Sequence, residues 1–294
     1  MKVLSLFDGM SCGQIALERV GIKVDTYYAS EIQPQSIQIT QKNYPNTVQL
    51  GDITKLSTQD LDELGEIDLL IGGSPCQNLS RAVINDIKHN QGLKGEKSSL
   101  FYEYLRVLEQ VKPKYFLLEN VESMKSEDKD IITEALGVEP VMINSGLVSA
   151  QDRKRYYWTN IPNVTQPIDK ELYLYDICES EVADKYWYKQ GYTFHGSDKR
   201  PVATLHMNNS YDMLKRVYGL HQKSPTLTGV RGGHHQKKVL QYGKARKLTP
   251  TEYELLQTVP RGYTEGVADV HRYNMLGDGW TVDVIAHIFK GLKE

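Results

Sequence analysis

The sequence predicts an α/β protein with a mostly parallel sheet and a second, smaller unit. Two patterns indicate the sheet. Short apolar runs alternate with helical patterns along the first half of the chain, and polar or reactive residues follow the ends of these runs. Open α/β sheets bind ligands outside the carboxyl ends of their strands. The chain has 294 residues, 40% of them hydrophobic and 24% charged, which suffices for one large core and a smaller unit.

The first predicted element is a strand from Lys2 to Phe7, followed by a Gly-rich turn and a helix that contains Ile15, Leu17 and Val20. This turn lacks the Gly-x-Gly-x-x-Gly spacing that binds a dinucleotide pyrophosphate. The positive end of the helix would still attract a carboxylate, such as that of a bound amino-acid group.

A second strand, Val24 to Ala29, ends just before Glu31, where this type of fold commonly binds ribose hydroxyls. Glu31 could equally be an N-terminal charge of the next helix, Gln35 to Asn43. A third strand around Val48 to Leu50 leads to Asp52, whose carboxylate could accept a hydrogen bond from an adenine amino group.

The run Ile67 to Ile71 predicts a buried fourth strand that delivers Cys76 just beyond its carboxyl end. Gly72 and Gly73 allow close backbone approach, and Pro75 fixes the turn. A free Cys is usually a small buried hydrophobe, so this motif favours a catalytic thiol but leaves a core residue open.

Between Ser80 and Lys97 the sequence lacks apolar periodicity, and we expect a mobile lid. An amphipathic helix with Leu100 in its first turn follows. The fifth strand, Tyr115 to Leu118, carries Glu119 at its carboxyl end. Because the preceding strand ends near the thiol, we expect the acid and the thiol to share one cleft.

A helix is predicted at Asp130 to Leu136 and a strand at Pro140 to Asn144. Arg153 and Arg155 then precede the aromatic strand Tyr156 to Trp158, and they share one face of an extended chain. Two guanidinium groups on one side suit a phosphate or a carboxylate. A solvated charged edge is an equally common interpretation of such a run.

The charge is unevenly distributed along the chain. The segment from Lys189 to Arg246 contains eleven Lys and Arg but two acids, a net charge of +9, so the rest of a chain of net charge -2 carries -11. This split indicates a nucleic-acid partner, with a solvated charged surface as the alternative. Glycines and prolines interrupt the region from Ile161 to Val270, which predicts a small, strand-poor or irregular unit.

The three cysteines, Cys12, Cys76 and Cys178, have no spacing typical of a disulfide framework or a zinc site. The apolar run at the start of the chain stops at Asp8, too early for a signal sequence, and no stretch approaches membrane-spanning length. We therefore expect a cytoplasmic protein that binds neither a membrane nor a metal.

The ordered motifs resemble those of the DNA cytosine-5 methyltransferases of bacteria and phages over almost the whole chain. The matching segments are Leu6 to Met10, the Pro-Cys motif Gly73 to Gln77, the Glu-Asn-Val motif Glu119 to Val121, the Gln-x-Arg-x-Arg motif Gln151 to Arg155, Arg246 to Glu252 and Leu276 to Val282. Asp278 stands where bacterial members usually carry Asn, and Asp8 where many carry a small residue. The C-terminal part with Trp280 is similar to the de novo animal branch.

The resemblance implies a Rossmann-like, S-adenosylmethionine-dependent fold. Its catalytic and cofactor-binding domain would span residues 1–161, completed by 271–294, and a target-recognition domain would span 162–270. The implied reaction transfers the methyl group of S-adenosylmethionine to C5 of a flipped-out cytosine in a specific sequence of double-stranded DNA. The Cys76 thiolate would add to C6 of the ring, a protonated Glu119 would stabilise the developing charge, and Arg153 and Arg155 would orient Glu119 and the base or its phosphate.

The resemblance also implies binding residues. Those for the cofactor are Phe7, Asp8, Gly9, Met10, Ser11, Cys12, Gly13, Glu31, Ile32, Asp52, Ile53, Pro75, Leu100, Gly279, Trp280 and Thr281. Those for DNA are Gln77, Asn78, Ser80, Thr226, Thr228, Arg231, Gly232, Gly233, Lys237 and Lys238. We expect Arg231 to read a base, and Lys237 and Lys238 to contact phosphates.

Two alternatives stay open, an RNA cytosine-5 methyltransferase and a catalytically silent nucleic-acid-binding relative. The intact Cys76, Glu119, Arg153 and Arg155 argue against the silent relative, and the long basic segment favours DNA over RNA. We expect a monomer, encoded by a bacterium or a phage and associated with the nucleoid. A cognate restriction endonuclease, where one exists, would act separately.

Overall fold

The computed structural model describes residues 1–75, 93, 100–208, 210–230 and 234–293. Seven residues with predicted roles lie outside the described residues: Cys76, Gln77, Asn78, Ser80, Arg231, Gly232 and Gly233. The predicted lid from Ser80 to Lys97 also lies outside them, apart from Leu93.

The chain divides into two compact units. The first consists of Met1–Ile143, Lys154–Gln166 and Ile285–Glu294, and the second of Asn144–Arg153 and Pro167–Val284. The domain boundaries that the resemblance implies, with target recognition at residues 162–270, stay a prediction.

A seven-stranded sheet forms the centre of the first unit. Its strands are β1 (Lys2–Leu6), β2 (Thr26–Ser30), β3 (Val48–Gln49), β4 (Leu69–Gly73), β5 (Tyr115–Val121), β6 (Val141–Asn144) and β7 (Lys154–Thr159). They lie in the order β3-β2-β1-β4-β5-β7-β6. Strands β1 to β5 pair in parallel, whereas β7 pairs antiparallel with β5. The predicted mostly parallel α/β sheet is therefore confirmed.

Among the described residues of the first unit, four α-helices follow the predicted alternation with strands, and a fifth was not predicted. They are α1 (Cys12–Arg19), α2 (Pro34–Asn43), α3 (Thr58–Glu63), α4 (Leu100–Val111) and α5 (Ser126–Leu136). We did not predict α3, whose single apolar contact with the core is Leu61. A capping box between Ser57 and Asp60 satisfies its first backbone donors, which makes so short a helix possible.

The core of the first unit lies between the sheet and its helices. Helix α4 buries Phe101, Tyr104 and Val107, at the spacing that keeps side chains on one face. Leu118 from β5 and Trp158 from β7 belong to the same fully buried cluster. Burial of each such side chain contributes about 1.5 to 3 kcal/mol, so α4 is firmly fixed on the sheet.

The second unit contains a sheet that we did not expect. Its strands are β8 (Tyr192–Phe194), β9 (Ala203–Leu205), β10 (Arg216–Gly219), β11 (Lys238–Gln241) and β12 (Lys244–Lys247), in the order β12-β11-β10-β9-β8. Of the two predicted possibilities, a strand-poor or an irregular unit, the five strands contradict the first, and the irregular segments between them agree with the second. Each strand has only three or four residues, too few for alternation to show in the sequence, and irregular segments join them.

Helices complete the second unit and lead back to the first. They are α6 (Leu174–Ile177), α7 (Asp212–Lys215), α8 (Pro250–Leu256), α9 (Asp269–Asp278) and α10 (Val282–Phe289), the last of which ends among residues of the first unit. Thr249 and Glu252 form a capping box at the start of α8, and Glu252 also forms a fully buried ion pair with Arg246 at 2.6 Å. The motif Arg246 to Glu252 thus stabilises the fold of the second unit.

None of the described helices combines the length and the apolar character needed to cross a membrane. Among the described residues, no group of three or more His, Cys, Asp or Glu side chains could hold a metal ion.

Candidate active site

Glu119 and Arg155 form an ion pair at the carboxyl end of β5. The antiparallel register places Val121 opposite Arg155, two positions from Glu119, and thus on the same face of the sheet. Arg155 Nε lies 2.7 Å from Glu119 Oε1, and the two side chains are only 13% and 11% exposed. A largely buried guanidinium therefore fixes the orientation of the carboxyl group.

The turn that leads to Cys76 is held by Asn120. Its Nδ2 donates to Ser74 Oγ at 3.0 Å and to the Ser74 carbonyl at 3.3 Å, while its Oδ1 accepts from the Val121 N–H. Asn120 is 1% exposed. This side chain connects the end of β5 to the residues after β4. We assigned it no role from the sequence, because only the pairing of β4 with β5 brings the two segments together.

The loop between β1 and α1 has an unusual backbone. Phe7, Gly9 and Ser11 have φ values of 56°, 59° and 61°, in the left-handed region. The Gly9 N–H donates to Glu31 Oε2 at 2.7 Å. Glu31 Oε1 accepts from the Ile32 N–H at 2.7 Å, just before α2. Glu31 thus serves the start of a helix and holds the loop as well, and the binding of ribose hydroxyls by Glu31 stays a prediction.

Asp8 directs its carboxylate into the protein. Tyr27 Oη donates to Asp8 Oδ1 at 2.8 Å and Ser11 Oγ donates to Asp8 Oδ2. Burial raises the pKa of Asp8 to about 6, although hydrogen bonds from Ser11, Ser5 and Tyr27 oppose this shift. Asp8 therefore stabilises the loop through hydrogen bonds on its buried side.

Three other residues of this loop are also turned inward. Met10 is 1% and Cys12 3% exposed, so contact with a cofactor would come from their backbone. A Cβ on Gly13 would lie 2.4 Å from the Ile71 side chain and 2.8 Å from Tyr27 Oη. Gly13 is therefore required for the packing of α1 on the sheet.

Polar and apolar groups lie together near the ends of β2 and β3. Asp52 Oδ1 accepts from the Thr54 side chain at 2.8 Å and backbone at 3.0 Å, and these bonds lower the pKa of Asp52. Ile32 is 63% exposed, whereas Ile53 is buried in the core. Pro75 and Leu100 are half-buried. Carboxylates at Glu31 and Asp52 with an exposed apolar side chain are the groups that a nucleoside requires, and thus fit S-adenosylmethionine.

In the second unit, Arg153 joins three backbone segments. Its guanidinium donates to the carbonyls of Leu227 at 2.9 Å, Gly277 at 3.3 Å and Gly279 at 3.0 Å, and the residue is 5% exposed. These bonds make Arg153 a positioning residue for the Thr-Leu element and for the Gly-Trp-Thr segment near the C-terminus.

Gln257 supports the same region, and the sequence did not single it out. Its Nε2 donates to the Leu276 and Gly279 carbonyls at 2.6 and 3.0 Å, and its Oε1 accepts from Thr281 Oγ1 at 2.8 Å. Gln151 Nε2 also lies 3.1 Å from this oxygen. The predicted cofactor residues Gly279 and Thr281 are thus held by a buried amide network.

The predicted DNA contacts of the second unit differ in exposure. Thr228 is exposed, whereas Thr226 Oγ1 donates to the Asp152 carbonyl at 2.7 Å. Lys238 is 2% exposed, and its Nζ donates to the carbonyls of His234 and Gln236. Burial lowers the pKa of Lys238 to about 7 and that of Lys237 to about 8. The Lys238 ammonium is thus directed into the protein, and its contact with a phosphate stays a prediction.

Comparison with known proteins identifies the family. Residues 1–294 match the family described as C-5 cytosine-specific DNA methylase. The chain belongs to this family. The Type II methyltransferase M.NlaX of Neisseria lactamica is 27% identical over 320 residues, which cover 99% of this chain and 96% of that protein. The Type II methyltransferase M1.ScrFI of Lactococcus lactis subsp. cremoris is 26% identical over 319 residues, covering 100% and 78%.

Solved structures show the same fold. Dnmt2 methyltransferase of S. pombe superposes with a TM-score of 0.72 at 19% identity over 100% of both chains. An E. coli prophage protein described as a DNA modification methyltransferase has a TM-score of 0.69 at 19% identity, over 100% of this chain and 98% of that one. The chain is therefore a DNA cytosine-5 methyltransferase with the α/β methyltransferase fold, and its methyl donor is S-adenosylmethionine.

Proposed function

We propose that this methyltransferase acts on a flipped-out cytosine in a specific sequence of double-stranded DNA, through a covalent bond between Cys76 Sγ and C6 of the base. One observation carries the proposal. Gly73 in β4 pairs with Glu119 in β5, so the strand that leads to Cys76 and the strand that carries Glu119 end side by side. A nucleophile and an acid would thus meet at one edge of the sheet.

Each group then has a defined chemical role. The Cys76 thiolate forms a bond to C6, and N3 of the ring takes a proton from Glu119. The electron pair that reaches C5 makes this carbon nucleophilic, and S-adenosylmethionine supplies an electrophilic methyl group. Transfer of the methyl group to C5 leaves S-adenosylhomocysteine. The C5 proton then passes to water, its bonding electrons form the C5–C6 double bond, and the Sγ–C6 bond breaks with its electrons on sulfur. Methylated cytosine and the Cys76 thiolate are released, and N3 returns its proton to Glu119.

Arg155 orients the acid in this scheme. The contact at 2.7 Å between Arg155 Nε and Glu119 Oε1 fixes the direction in which Glu119 Oε2 points. Arg155 thus holds the Glu119 carboxyl group in the orientation that proton transfer to the base requires.

The residues that would hold the methyl donor are mostly in the first unit. Glu31 and Asp52 would bind the ribose and the adenine amino group, Ile32 would pack on the base, and the left-handed loop with Gly9 would contact the amino-acid part. The observation that supports this set is the pairing of the Gly9 N–H with Glu31, which fixes the loop beside the acid.

Sequence recognition would rest on the second unit. Base flipping costs a few kcal/mol, which DNA contacts must offset, and the segment Lys189 to Arg246 has a net charge of +9. Arg231, the proposed base contact, lies outside the described residues. We also propose a cytoplasmic monomer that acts on nucleoid DNA and works separately from any cognate endonuclease. The names of the Type II relatives support the restriction-modification context.

Transfer of labelled methyl groups tests this function. The purified chain, given S-adenosylmethionine with a tritiated methyl group and duplex DNA of random sequence, should label cytosine C5. Bisulfite sequencing should find the label in one sequence context, and Cys76→Ala should remove it. Labelling of RNA in place of DNA would assign the activity to RNA, and labelling of DNA by Cys76→Ala would contradict the covalent route.

A further inference from the structure

We infer that Leu93 and Asp128 form an anchor that ties the chain after Cys76 to the core of the first unit. Asp128 thereby acts as a positioning residue for methyl transfer. The inference rests on the proposed function, because it takes Cys76 as the nucleophile. The contact that carries it is a hydrogen bond of 3.0 Å, in which the Leu93 N–H donates to Asp128 Oδ1 across 35 residues of sequence.

Leu93 is the apolar half of this anchor. From Lys88 to Ser99, it is the one hydrophobic residue in a polar stretch. Its side chain is nevertheless 2% exposed, and it belongs to the same buried cluster as Met124 and Ile132. Because transfer of a leucine side chain out of water is favourable, Leu93 attaches this stretch to the core.

Asp128 is the polar half of the anchor. It lies in the first turn of α5, where the helix dipole favours a carboxylate, but the exposed Glu127 beside it meets that need equally well. Asp128 differs from Glu127 because it is only 8% exposed and accepts the Leu93 N–H in buried surroundings. A buried carboxylate is costly unless it accepts hydrogen bonds, so this position indicates a role beyond the helix itself.

The stretch from the end of β5 to the first turn of α5 holds the chain on both sides of Cys76. Near its start, Asn120 Nδ2 donates to Ser74 Oγ at 3.0 Å, two residues before the nucleophile. At its end, Asp128 accepts from Leu93, 17 residues after the nucleophile. The proposed acid lies in the same stretch. One part of the chain therefore carries the acid and both attachments of the segment with the thiol.

This stretch is itself packed into the first unit. Asn120, Val121 and Met124 are 1%, 5% and 5% exposed. The anchor at Leu93 divides the span between Ser74 and the start of α4, and shorter spans have fewer conformations. Addition to C6 requires the reacting atoms to approach within about 3 to 3.5 Å in the right direction. Attachment to the stretch that carries the acid would therefore raise the fraction of molecules with the thiol in place.

Four variants separate the anchor from the helix that carries Asp128. Asp128→Ala removes the acceptor, whereas Asp128→Asn keeps an acceptor oxygen without the charge. Leu93→Ala removes the apolar half and leaves α5 unchanged. Glu127→Ala is the matched control, since it removes an exposed acid from the same turn. Thermal unfolding verifies the fold of each variant.

Limited digestion with trypsin measures the anchor without use of the activity. Cleavage after Lys94 requires the neighbouring Leu93 to leave the core, so its rate follows the open fraction of the anchor. Loss of a hydrogen bond to a charged acceptor shifts such an equilibrium about 10- to 100-fold. Asp128→Ala should therefore be cut at this bond about ten times faster or more, and Glu127→Ala at the rate of the wild type. Equal rates in Asp128→Ala and the wild type overturn the anchor.

Single-turnover methyl transfer to duplex DNA tests the positioning role. Asp128→Ala and Leu93→Ala should lower the rate about tenfold, because the thiol is held in place less often. Affinity for S-adenosylhomocysteine, measured by calorimetry, should stay within about twofold, and Asp128→Asn should recover most of the rate. A full rate in Asp128→Ala, or an equal loss in Glu127→Ala, overturns the positioning role.

The covalent complex with DNA that contains 5-fluorocytosine distinguishes this inference from the proposed function. If the wild type forms the complex and Asp128→Ala forms it equally fast, the positioning role is refuted and the proposed function stands. If the wild type methylates DNA without forming the complex, the covalent route is refuted. Faster cleavage of Asp128→Ala would then still show the anchor, but the anchor would position no nucleophile.

Discussion

The chemical role of Glu119 can be tested by a substitution that keeps the shape of its side chain. Glu119→Gln retains volume and hydrogen bonding but cannot transfer a proton to N3 of cytosine. We therefore expect kcat to fall by about two or more orders of magnitude. Affinity for S-adenosylhomocysteine, measured by calorimetry, should stay within about twofold. Nearly full activity of this variant would place Glu119 outside the chemistry.

Asp8 gives the first unit a pH dependence. Its pKa is raised from an ordinary value of 3.8 to about 6 in the folded state, so between these values the folded protein binds more protons than the unfolded chain. The contribution to stability is full below about pH 4 and is lost as pH rises through about 6, by at most about 3 kcal/mol. Asp8→Asn should remove this part of the decline in urea titrations at pH 4 to 7.

The control for Asp8 lies in the same cluster. Tyr27→Phe removes the hydrogen bond to Asp8 Oδ1 but keeps the carboxylate. It should therefore retain the decline with pH and weaken binding of S-adenosylhomocysteine through the loosened loop. An identical pH profile for the wild type and Asp8→Asn would show that Asp8 does not titrate in this range.

At the scale of elements, Arg153 and Arg155 belong to one motif but have different roles, because Arg153 stabilises the second unit and Arg155 orients Glu119. Arg153 donates to the buried carbonyls of Leu227 and Gly277, whose loss of a partner costs about 1 to 3 kcal/mol each, and to the Gly279 carbonyl, which also accepts from Gln257 Nε2. Arg153→Met should therefore lower the free energy of unfolding by about 2 to 6 kcal/mol. Arg155→Met should lower kcat through Glu119 and destabilise less. Equal loss of stability in both variants, measured by urea unfolding, would contradict this division.

The sequence predicted those elements whose signals are local. Apolar runs such as Ile67 to Ile71 marked the buried strands, and helix α4 followed from the spacing of Phe101, Tyr104 and Leu108. Strands β8 to β12 escaped prediction because three or four residues carry no readable alternation. Their pairing partners lie far away in the chain, and only the fold reveals them.

The same distinction applies to the site. Glu119 was predicted because it ends an apolar run, and its placement beside Arg155 needs the antiparallel pairing of β5 with β7. Asn120 and Gln257 were missed because their partners are 46 and 19 or more residues away. The burial of Lys238 was not predicted, since a lysine in a basic segment is usually exposed, whereas Lys238 Nζ lies over the Tyr188 ring.

At the scale of the whole molecule, the uneven charge distribution places the residues proposed for DNA recognition and the residues proposed for the reaction in different segments of the chain. The segment of net charge +9 contains neither Cys76 nor Glu119, and the proposed cofactor residues also lie outside it. Substitutions in that segment should therefore change DNA affinity or sequence choice, whereas Glu119→Gln should change turnover. The covalent bond between Cys76 and the base is the central claim of the proposed function.

Duplex DNA that contains 5-fluorocytosine tests this claim most directly. Fluorine at C5 cannot leave as a proton does, so the bond between Sγ and C6 cannot be broken after methyl transfer. With S-adenosylmethionine present, the wild type should form a complex that survives denaturing electrophoresis, and mass spectrometry should locate the base on Cys76. Failure to form this complex at a sequence that the enzyme otherwise methylates, or attachment at another residue, would contradict the mechanism.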